Sequence, residues 1–355
     1  MKIGLIGLQN SGKTTIFNTL TGLDLEVTSY ASQKAEPNLG IVEVLDERVS
    51  KLSAMYKPKK TIFAHIEYID FAGFTADKNS NSTIPANILA FAKTTDALAL
   101  VVQNFAGEMK EQPSIIEDIE LIESELIMTD LIIAEKRLGK IELSKKRGIK
   151  DASLMIEESA IKKVIEQLNQ EKPLRDLELT PEEEKAIRGF QFLSQKPMMI
   201  IINSSEENYK KNEKQISEIS KSYQVNEFAG NFEMELCKLS AEEAAEFMLD
   251  MGIEESARNR LTKLSYELLG YISFFTVGED EVRAWTLEKG QNAVEAAGKI
   301  HSDLARGFIR AECFSYDDLI EVGSEKVLRE KGLYRLEGKN YIVKDGDIIN
   351  IRFSV

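Results

Sequence analysis

Short apolar runs that end in polar or glycine-rich loops recur along the first two thirds of the chain. Such runs are typical of parallel strands buried on both faces of an α/β sheet. They lie at Lys2–Ile6 and at residues 61–69, 97–102, 198–202 and 236–239. Because open α/β sheets bind ligands at the carboxyl ends of their strands, we expect the functional residues to follow these runs.

Residues 114–170 show a different pattern, with apolar residues mostly three or four positions apart and almost no Gly or Pro. The breaker Lys145-Lys146-Arg147-Gly148 interrupts this pattern. We therefore predict a long helix and an antiparallel helical hairpin inserted in the α/β domain. The alternative is a set of ordinary helices packed on the sheet, since most globular helices have ~8–20 residues.

The last third of the chain, from Tyr271, alternates strand-like runs with a single helical segment. The helical segment is residues 292–301, and the strand-like runs are residues 272–277, 282–287, 307–313, 341–343 and 348–353. A small α+β module of the β-grasp type fits this order.

Composition and charge exclude several classes of protein. With 45 Lys+Arg against 59 Asp+Glu, the 355 residues carry a net charge of −14, which disfavours general nucleic-acid binding through the overall field. A contact with RNA would have to be local, for example at the predicted hairpin tip with Lys145, Lys146, Arg147 and Lys150. No apolar run approaches the ~20 residues of a membrane span, and Cys237 and Cys313 show no disulfide or zinc spacing. We expect a cytoplasmic protein.

Residues 7–14 match the phosphate-binding pattern G-x-x-x-x-G-K-[ST], directly after the first strand and at the start of a helix. In such a loop the backbone N–H groups and the helix N-terminus face the β-phosphate. We expect the Lys13 ammonium to bridge the β- and γ-phosphates and the Thr14 hydroxyl to bind Mg²⁺. The predicted phosphate-binding residues of this loop are Asn10, Ser11, Gly12, Lys13, Thr14 and Thr15.

The second apolar run ends in Asp70-Phe71-Ala72-Gly73, a D-x-x-G pattern. In this position the aspartate contacts Mg²⁺ through water, and the glycine N–H senses the γ-phosphate. Without a preceding phosphate loop the same residues would be an ordinary turn at the end of a strand. Together the two motifs predict Thr14 and Asp70 as metal ligands and Gly73 as a further phosphate contact.

Asn203-Ser204-Ser205-Glu206 stands where GTPases carry N-K-x-D, and Ser240-Ala241 stands where they carry S-A. Glu206 is one methylene longer than the aspartate that accepts hydrogen bonds from guanine, and Ser204 replaces the lysine that would cover the base. Asn203 can still pair with N7 and the exocyclic amine of adenine. We predict that ATP is preferred to GTP and that the base site comprises Asn203, Ser204, Glu206, Ser240 and Ala241. The alternative is that these polar residues cap strand ends.

Taken together, these motifs resemble the YchF family, the Obg-like ATPases among the P-loop NTPases. The resemblance covers essentially the whole chain and includes the phosphate loop with Asn10 and residues 36–40, 172–180, 203–206, 281–286, 306–312 and 341–347. It implies an α/β G domain, a coiled-coil-like helical insert and a β-grasp TGS domain. The implied boundaries are residues 1–112 and 189–270 for the split G domain, 113–188 for the insert and 271–355 for the TGS domain.

The resemblance also implies function. Family members hydrolyse ATP in preference to GTP, need Mg²⁺ and associate with ribosomes. Asn10 matches the asparagine that relatives use to hold a potassium ion beside the phosphates. After D-x-x-G the family carries a hydrophobic residue, here Phe74, whose side chain cannot hydrogen-bond a water.

Several positions depart from the family pattern. Gln9 replaces a proline, and Lys34 replaces a threonine that would bind Mg²⁺ when switch I closes. The glycine-rich second switch reads differently at residues 74–83, and a histidine expected within residues 105–113 is absent. The parts that bind the nucleotide are kept while the parts that sense or cleave the γ-phosphate differ, so no catalytic residue is assigned.

Three hypotheses follow. The first is a slow Mg²⁺-dependent ATPase that acts as a conformational switch on the ribosome. The second is a non-hydrolysing adaptor, stabilised by nucleotide, that docks on a ribosome or a protein partner. The third is a GTPase, which requires Glu206 to accept hydrogen bonds from guanine.

Overall fold

The computed structural model describes residues 1–23, 25, 37–74, 84–106, 114–148, 151–236, 239–250 and 255–354. Several positions singled out in the sequence lie outside these residues: Lys34, Glu36, residues 75–83, most of residues 105–113, Lys150 and Cys237. The chain divides into two compact units, residues 1–41 with 67–260 and residues 42–66 with 261–355. No helix in the described part of the chain is long and apolar enough to cross a membrane.

The elements in chain order are β1 (Lys2–Ile6), α1 (Lys13–Thr21), β2 (Asn38–Val44), α2 (Glu47–Tyr56), β3 (Lys60–Ile62), β4 (Ala64–Asp70), α3 (Ala86–Ala92), β5 (Ala97–Asn104), α4 (Ile115–Lys146), α5 (Ala152–Asn169), α6 (Pro181–Ile187), β6 (Met198–Ser204), α7 (Glu213–Ile219), β7 (Gln224–Phe228), α8 (Gly230–Leu236), α9 (Ala241–Asp250), α10 (Ala257–Leu268), β8 (Tyr271–Thr276), β9 (Glu281–Glu288), α11 (Ala293–Ile300), α12 (Ser302–Arg306), β10 (Phe308–Ser315), α13 (Tyr316–Val322), α14 (Glu325–Glu330), β11 (Arg335–Glu337) and β12 (Asp347–Phe353). Short 3-10 turns lie at Leu174–Asp176 and Arg188–Phe190.

The first sheet has six strands in the order β2-β4-β1-β5-β6-β7. Strand β1 pairs in parallel with β4 and β5, and β6 pairs in parallel with β5 and β7. Strands β5 and β6 are buried along their whole length, which explains their unbroken apolar sequences. The predicted α/β class and its strands at β1, β5 and β6 are confirmed.

The apolar run at residues 61–69 was expected to form one strand, and this expectation is wrong. Phe63 separates β3 from β4, and the two strands join different sheets: β4 pairs with β1, whereas β3 pairs in parallel with β9. The alternating pattern continues across the break because Ile62 of β3 is half-buried, and Ala64 and Ile66 of β4 are buried. Alternation reports which side chains are buried, not which sheet a strand joins.

The strand expected at residues 236–239 is not found at Leu236 or Leu239, the two residues of this run that the structure describes. The last strand of the first sheet is β7 (Gln224–Phe228), and Leu236 instead ends α8. Phe232 and Leu236, four positions apart on this helix, are buried together in a small core with Ala229. A short apolar run does not distinguish a strand from one face of a helix.

The predicted helical hairpin is confirmed. Helix α4 spans 32 residues, α5 spans 18, and the breaker Lys145-Lys146-Arg147-Gly148 covers the end of α4 and the start of the turn between them. Buried Ala134 of α4 shares a core with Ala160, Ile161 and Val164 of α5. At the hairpin tip the Lys145 ammonium lies 2.6 Å from the Glu158 carboxylate, so part of the predicted basic cluster is already paired.

One carboxylate anchors the long helix to the chain that returns to the sheet. Asp130 of α4, which is fully buried, accepts hydrogen bonds from the Leu193 N–H at 3.0 Å and from the Ser194 N–H and hydroxyl, both at 2.7 Å. Burial raises the pKa of this carboxyl, and the hydrogen bonds from Ser194 and Leu193 oppose that shift. The three donors satisfy a charge that would otherwise be costly to bury.

The second compact unit contains a sheet in the order β11-β10-β12-β8-β9-β3. Strand β12 pairs antiparallel with β10 and parallel with β8, which is the β-grasp arrangement. Helix α11 packs on this sheet through Ala293, Ala296 and Ala297. Residues 341–343, expected as a strand, form a single bridge between Asn292 and Ile342.

Residues 42–66 belong to this second unit, although the sequence places them in the first domain. Arg48 of α2 lies 2.6 Å from the Asp345 carboxylate and over the Phe275 ring. The Tyr56 hydroxyl donates to Glu325 at 2.8 Å. The boundaries of the three predicted modules stay a prediction, because the two compact units do not separate the helical insert from the first sheet.

Candidate functional site

Between β1 and α1 the chain turns through the loop formed by residues 7–12. Asn10 and Gly12 adopt left-handed backbone angles, with φ of 63° and 89°; asparagine and glycine tolerate this conformation best. A Cβ on Gly12 would collide with the Asn203 side-chain amide, and one on Gly7 would collide with the Val101 carbonyl. The loop therefore has the strand–loop–helix context and the close backbone approach that the phosphate-binding motif requires.

Lys13 lies at the start of α1 and points back into this loop. Its ammonium donates hydrogen bonds to the Gly7 carbonyl at 3.1 Å, the Leu8 carbonyl at 2.7 Å and the Ser11 hydroxyl at 3.4 Å. Burial lowers the pKa of Lys13 to about 8, and the Asp70 charge opposes that shift. A Cβ on Gly73 would lie 2.9 Å from the ammonium nitrogen, so the D-x-x-G glycine lies beside Lys13 as predicted.

The two predicted metal ligands contact each other. The Thr14 hydroxyl donates to Asp70 Oδ2 at 3.0 Å, and the Asn38 amide donates to the same oxygen at 3.5 Å. Asp70 Oδ1 is buried and has no hydrogen-bond partner among the described residues. Burial raises the pKa of this carboxyl, opposed by the Thr14 hydrogen bond and the Lys13 charge.

These oxygens fit a magnesium ion. Mg²⁺ prefers hydroxyl, carboxylate and water oxygens. A bound Mg²⁺ would also supply positive charge beside the unsatisfied oxygen of the buried Asp70 carboxylate. Thr14 would hold the ion directly, and Asp70 would hold it through water, as the sequence predicts. When bound, the ion neutralises charge on the phosphate oxygens.

The residue after D-x-x-G is fixed against the phosphate loop through its backbone. The Gln9 N–H donates to the Phe74 carbonyl at 2.9 Å, and Leu8 and Phe74 form a parallel bridge. The Phe74 ring is buried in the core of the sheet with Ile84 and Ile88. An aromatic ring at this position cannot orient a water by hydrogen bonding.

Asn203 at the end of β6 reaches the phosphate loop. Its side-chain N–H donates to the Ser11 carbonyl at 3.0 Å, across 192 positions of sequence. Gly12 lies on one side of this amide and Gly230 on the other, where a Cβ would be 2.5 Å from Asn203 Oδ1. Gly230, the second residue after β7, is a site residue that the sequence reasoning missed; a glycine just after a strand end is the signal that would have indicated it.

The other predicted base-binding residues are placed differently. Ser204 is buried, and its hydroxyl contacts Asn104 and Glu227, whereas Glu206 is exposed in the turn after β6. Ser240 caps α9: it accepts a hydrogen bond from the Glu243 N–H at 3.3 Å, and its own hydroxyl donates to the Glu243 carboxylate at 2.7 Å. Because Ser240 and Ala241 follow α8 instead of a strand, the expectation that they occupy the end of a sheet strand is wrong.

The remaining predicted phosphate contacts lie in or beside the loop. Ser11 and Thr15 are both buried, Ser11 in the loop and Thr15 in the first turn of α1. The structure thus brings together Asn10, Ser11, Gly12, Lys13, Thr14, Thr15, Asp70, Gly73 and Asn203 at the carboxyl ends of β1, β4 and β6. Their binding roles stay predictions.

The fold and this loop define a nucleotide-binding P-loop protein of the α/β class. Residues 2–137 match a family model described as a 50S ribosome-binding GTPase. Residues 271–354 match the model of the YchF-type GTPase C-terminal region, described as a protein of unknown function.

The chain belongs to the YchF family. It is 38% identical over 363 residues to the ribosome-binding ATPase YchF of Bacillus subtilis, a match that covers 99% of each chain. It is 36% identical over 364 residues to the ribosome-binding ATPase YchF of Escherichia coli O157:H7, covering 100% of this chain and 99% of that protein. The structure is similar to that of the Schizosaccharomyces pombe YchF GTPase, with a TM-score of 0.84, 30% identity and coverage of 99% and 97% of the two chains.

Proposed function

We propose that this protein binds ATP with Mg²⁺, hydrolyses it slowly and acts as a conformational switch on the ribosome. The observation that carries the proposal is the contact between Thr14 and Asp70 beside the buried Lys13 ammonium. Thr14 and Asp70 are the groups that would hold Mg²⁺, and Lys13 is the group that would bind the β- and γ-phosphates. Relatives named ribosome-binding ATPases support both the nucleotide and the partner.

The preference for ATP rests on Asn203. One N–H of its amide holds the Ser11 carbonyl, and the amide has a second N–H and a carbonyl oxygen with which to pair with N7 and the exocyclic amine of adenine. Titration calorimetry with ATP and with GTP, both with Mg²⁺, tests this preference. GTP binding about tenfold tighter than ATP, or roughly 1.4 kcal/mol, would contradict it.

Hydrolysis needs a group that Phe74 does not provide. We propose that a potassium ion beside Asn10 stabilises the charge that develops on the phosphates, in the manner of an arginine finger. Single-turnover hydrolysis should be faster in potassium than in sodium buffer at equal ionic strength, and Lys13→Ala should abolish it. Equal rates in the two buffers would remove the potassium role.

The adaptor hypothesis is the second candidate, and the buried Phe74 favours it. It predicts that nucleotide raises the melting temperature while no phosphate is released above the uncatalysed rate. Potassium-stimulated turnover that Lys13→Ala abolishes would exclude it.

The third candidate, a GTPase, is favoured by the family model that matches residues 2–137. It requires Glu206, which is exposed in its turn, to close on guanine. Glu206→Ala should then weaken GTP binding selectively. An unchanged GTP affinity would count against this candidate.

Ribosome association can be measured by sedimentation with purified ribosomes in the presence of a non-hydrolysable ATP analogue or ADP. A switch predicts at least fivefold more protein in the ribosome pellet with one nucleotide than with the other. The net charge of −14 predicts that unstructured RNA will not compete. Ribosome association would place the protein in the cytoplasm.

A further inference from the structure

A chain of side-chain hydrogen bonds, one buried and one half-buried, crosses three neighbouring strands on the base side of the site. The Asn104 amide at the end of β5 donates to the Ser204 hydroxyl at 2.7 Å, and that hydroxyl donates to Glu227 Oε1 of β7, also at 2.7 Å. Asn104 and Ser204 are 2% and 3% exposed. A hydroxyl has one hydrogen to donate, and Ser204 donates it to Glu227, so this side chain has none left to donate to a ligand.

The same residues hold the turn that follows β6. The second Glu227 oxygen accepts from the Lys210 N–H at 3.0 Å, so this carboxylate bridges Ser204 and Lys210 at the two ends of the turn. The Asn104 carbonyl accepts from the Ser205 N–H at 3.3 Å and from the Asn208 amide at 3.0 Å. The turn is therefore fixed at both ends and in its middle.

This turn begins directly after Asn203, the residue to which the proposed function assigns adenine recognition. Asn203 is also held to the phosphate loop through Ser11. A base bound at the carboxyl ends of β6 and β7 would lie beside the backbone of this turn. Fixing the turn thus fixes the geometry with which a base is read, without any contact between Glu227 and the nucleotide.

We propose that Glu227 and Asn104, acting through the Ser204 hydroxyl, are positioning residues that determine which nucleotide base the site accepts. The inference rests on the proposed function for the identity of the favoured base. Recognition groups must be held to within about 0.5 Å to discriminate between ligands, and such precision comes from the residues that support them. The proposed phosphate site lies between β1 and α1, so the binding of phosphates should not depend on this turn.

The test compares ligands with and without a base. Affinities for Mg²⁺ complexes of ATP, GTP and inorganic tripolyphosphate are measured for the wild type and for Glu227→Ala. We expect Glu227→Ala to weaken ATP binding about tenfold and to bring the ATP and GTP affinities within about twofold of each other. Tripolyphosphate affinity should change less than twofold.

Further variants separate positioning from folding. Glu227→Gln keeps one acceptor and should give an intermediate loss, whereas Glu218→Ala, which removes an exposed carboxylate on α7, should change none of the three affinities. If Glu227→Ala does not fold, Ser204→Ala removes the hydrogen bonds of Ser204 with Asn104 and Glu227 by a smaller change of side chain and is expected to show the same selectivity loss.

Equal losses of affinity for all three ligands, or no loss of affinity for any, would overturn the proposal, because either result would mean that these residues contribute only to the stability of the fold. A wild-type protein that prefers GTP would refute the proposed adenine preference but not this inference. In that case a collapse of the GTP preference in Glu227→Ala would still support the positioning role.

Discussion

The phosphate end and the base end of the candidate site are built in different ways. At the phosphate end, Lys13 contacts carbonyls and a hydroxyl within six positions of itself. At the base end, Ser204 depends on partners 100 and 23 positions away, Asn104 and Glu227. A contiguous motif can specify the first arrangement, whereas the second exists only once three strands have been aligned.

Asn203 belongs to both ends, because it follows β6 and bonds to the phosphate loop at the Ser11 carbonyl. The comparison therefore makes a prediction about energetics. Substitutions at the phosphate end should weaken the binding of all nucleotides alike, whereas substitutions at the base end should alter the selectivity between nucleotides. Substitutions around Asn203 should both weaken binding and alter selectivity.

The largest effect is expected from Lys13→Ala. Removal of the buried ammonium eliminates charged hydrogen bonds to the phosphates, so the affinity for ATP, GTP and tripolyphosphate should each fall about 100-fold, roughly 2.7 kcal/mol. Titration calorimetry measures this, with Lys59→Ala as a control that removes an exposed lysine paired with Asp280. A loss confined to ATP would contradict the separation of the two ends.

A smaller effect is expected from Gly230→Ala. The new Cβ would lie 2.5 Å from Asn203 Oδ1 and displace the amide from the phosphate loop, which should weaken ATP binding about tenfold. In an Asn203→Ala background the same substitution should cost nothing further, since the colliding group is gone.

Gly189→Ala is a matched control for this double-mutant cycle of Gly230 and Asn203, because a Cβ at residue 189 meets nothing within 4 Å. Additive losses in the double variant would show that Gly230 acts independently of Asn203. Asn203 would then not link the phosphate end and the base end of the site.

The smallest effect is a pH dependence. The lowered pKa of about 8 means that Lys13 is about half deprotonated at pH 8 in the absence of nucleotide, whereas bound phosphates would hold the proton. Binding above pH 8 then takes up a proton, and the affinity should fall about fourfold between pH 7.0 and 8.5.

Calorimetry in buffers of different ionisation enthalpy detects this proton uptake. Lys13→Arg, which stays charged throughout the range, should bind with an affinity that is flat with pH. The same fourfold fall in that variant would mean that another group titrates.

Sequence reasoning succeeded where the determinant of structure is local. The phosphate loop and the long helical hairpin depend on spacing within a few residues, and both are present. It failed where a short apolar run has several solutions: residues 61–69 split between two sheets, and the last strand of the first sheet was placed too late in the chain. Because β7 was not predicted, Gly230 two positions after its end was missed as well.

The base-side hydrogen bonds could not have been predicted from these patterns. Asn104, Ser204 and Glu227 lie far apart in sequence, and each alone resembles a polar residue at a strand end. Their meeting depends on the register that places Asn104 opposite Ser204 and on the pairing of β6 with β7.

The assignment of residues 42–66 to the second compact unit has a consequence for how the protein can be divided. A truncation after residue 270 would not remove a self-contained tail. It would strip β3 of its neighbour β9 and leave Arg48 without Asp345. If the C-terminal region were transferred into another chain, the β-grasp unit would lack one edge strand and α2 unless residues 42–66 were transferred as well. The β-grasp unit is therefore discontinuous in sequence, and residues 42–66 must wait to fold into it until residues 261–355, about two hundred positions later in the chain, have been synthesised.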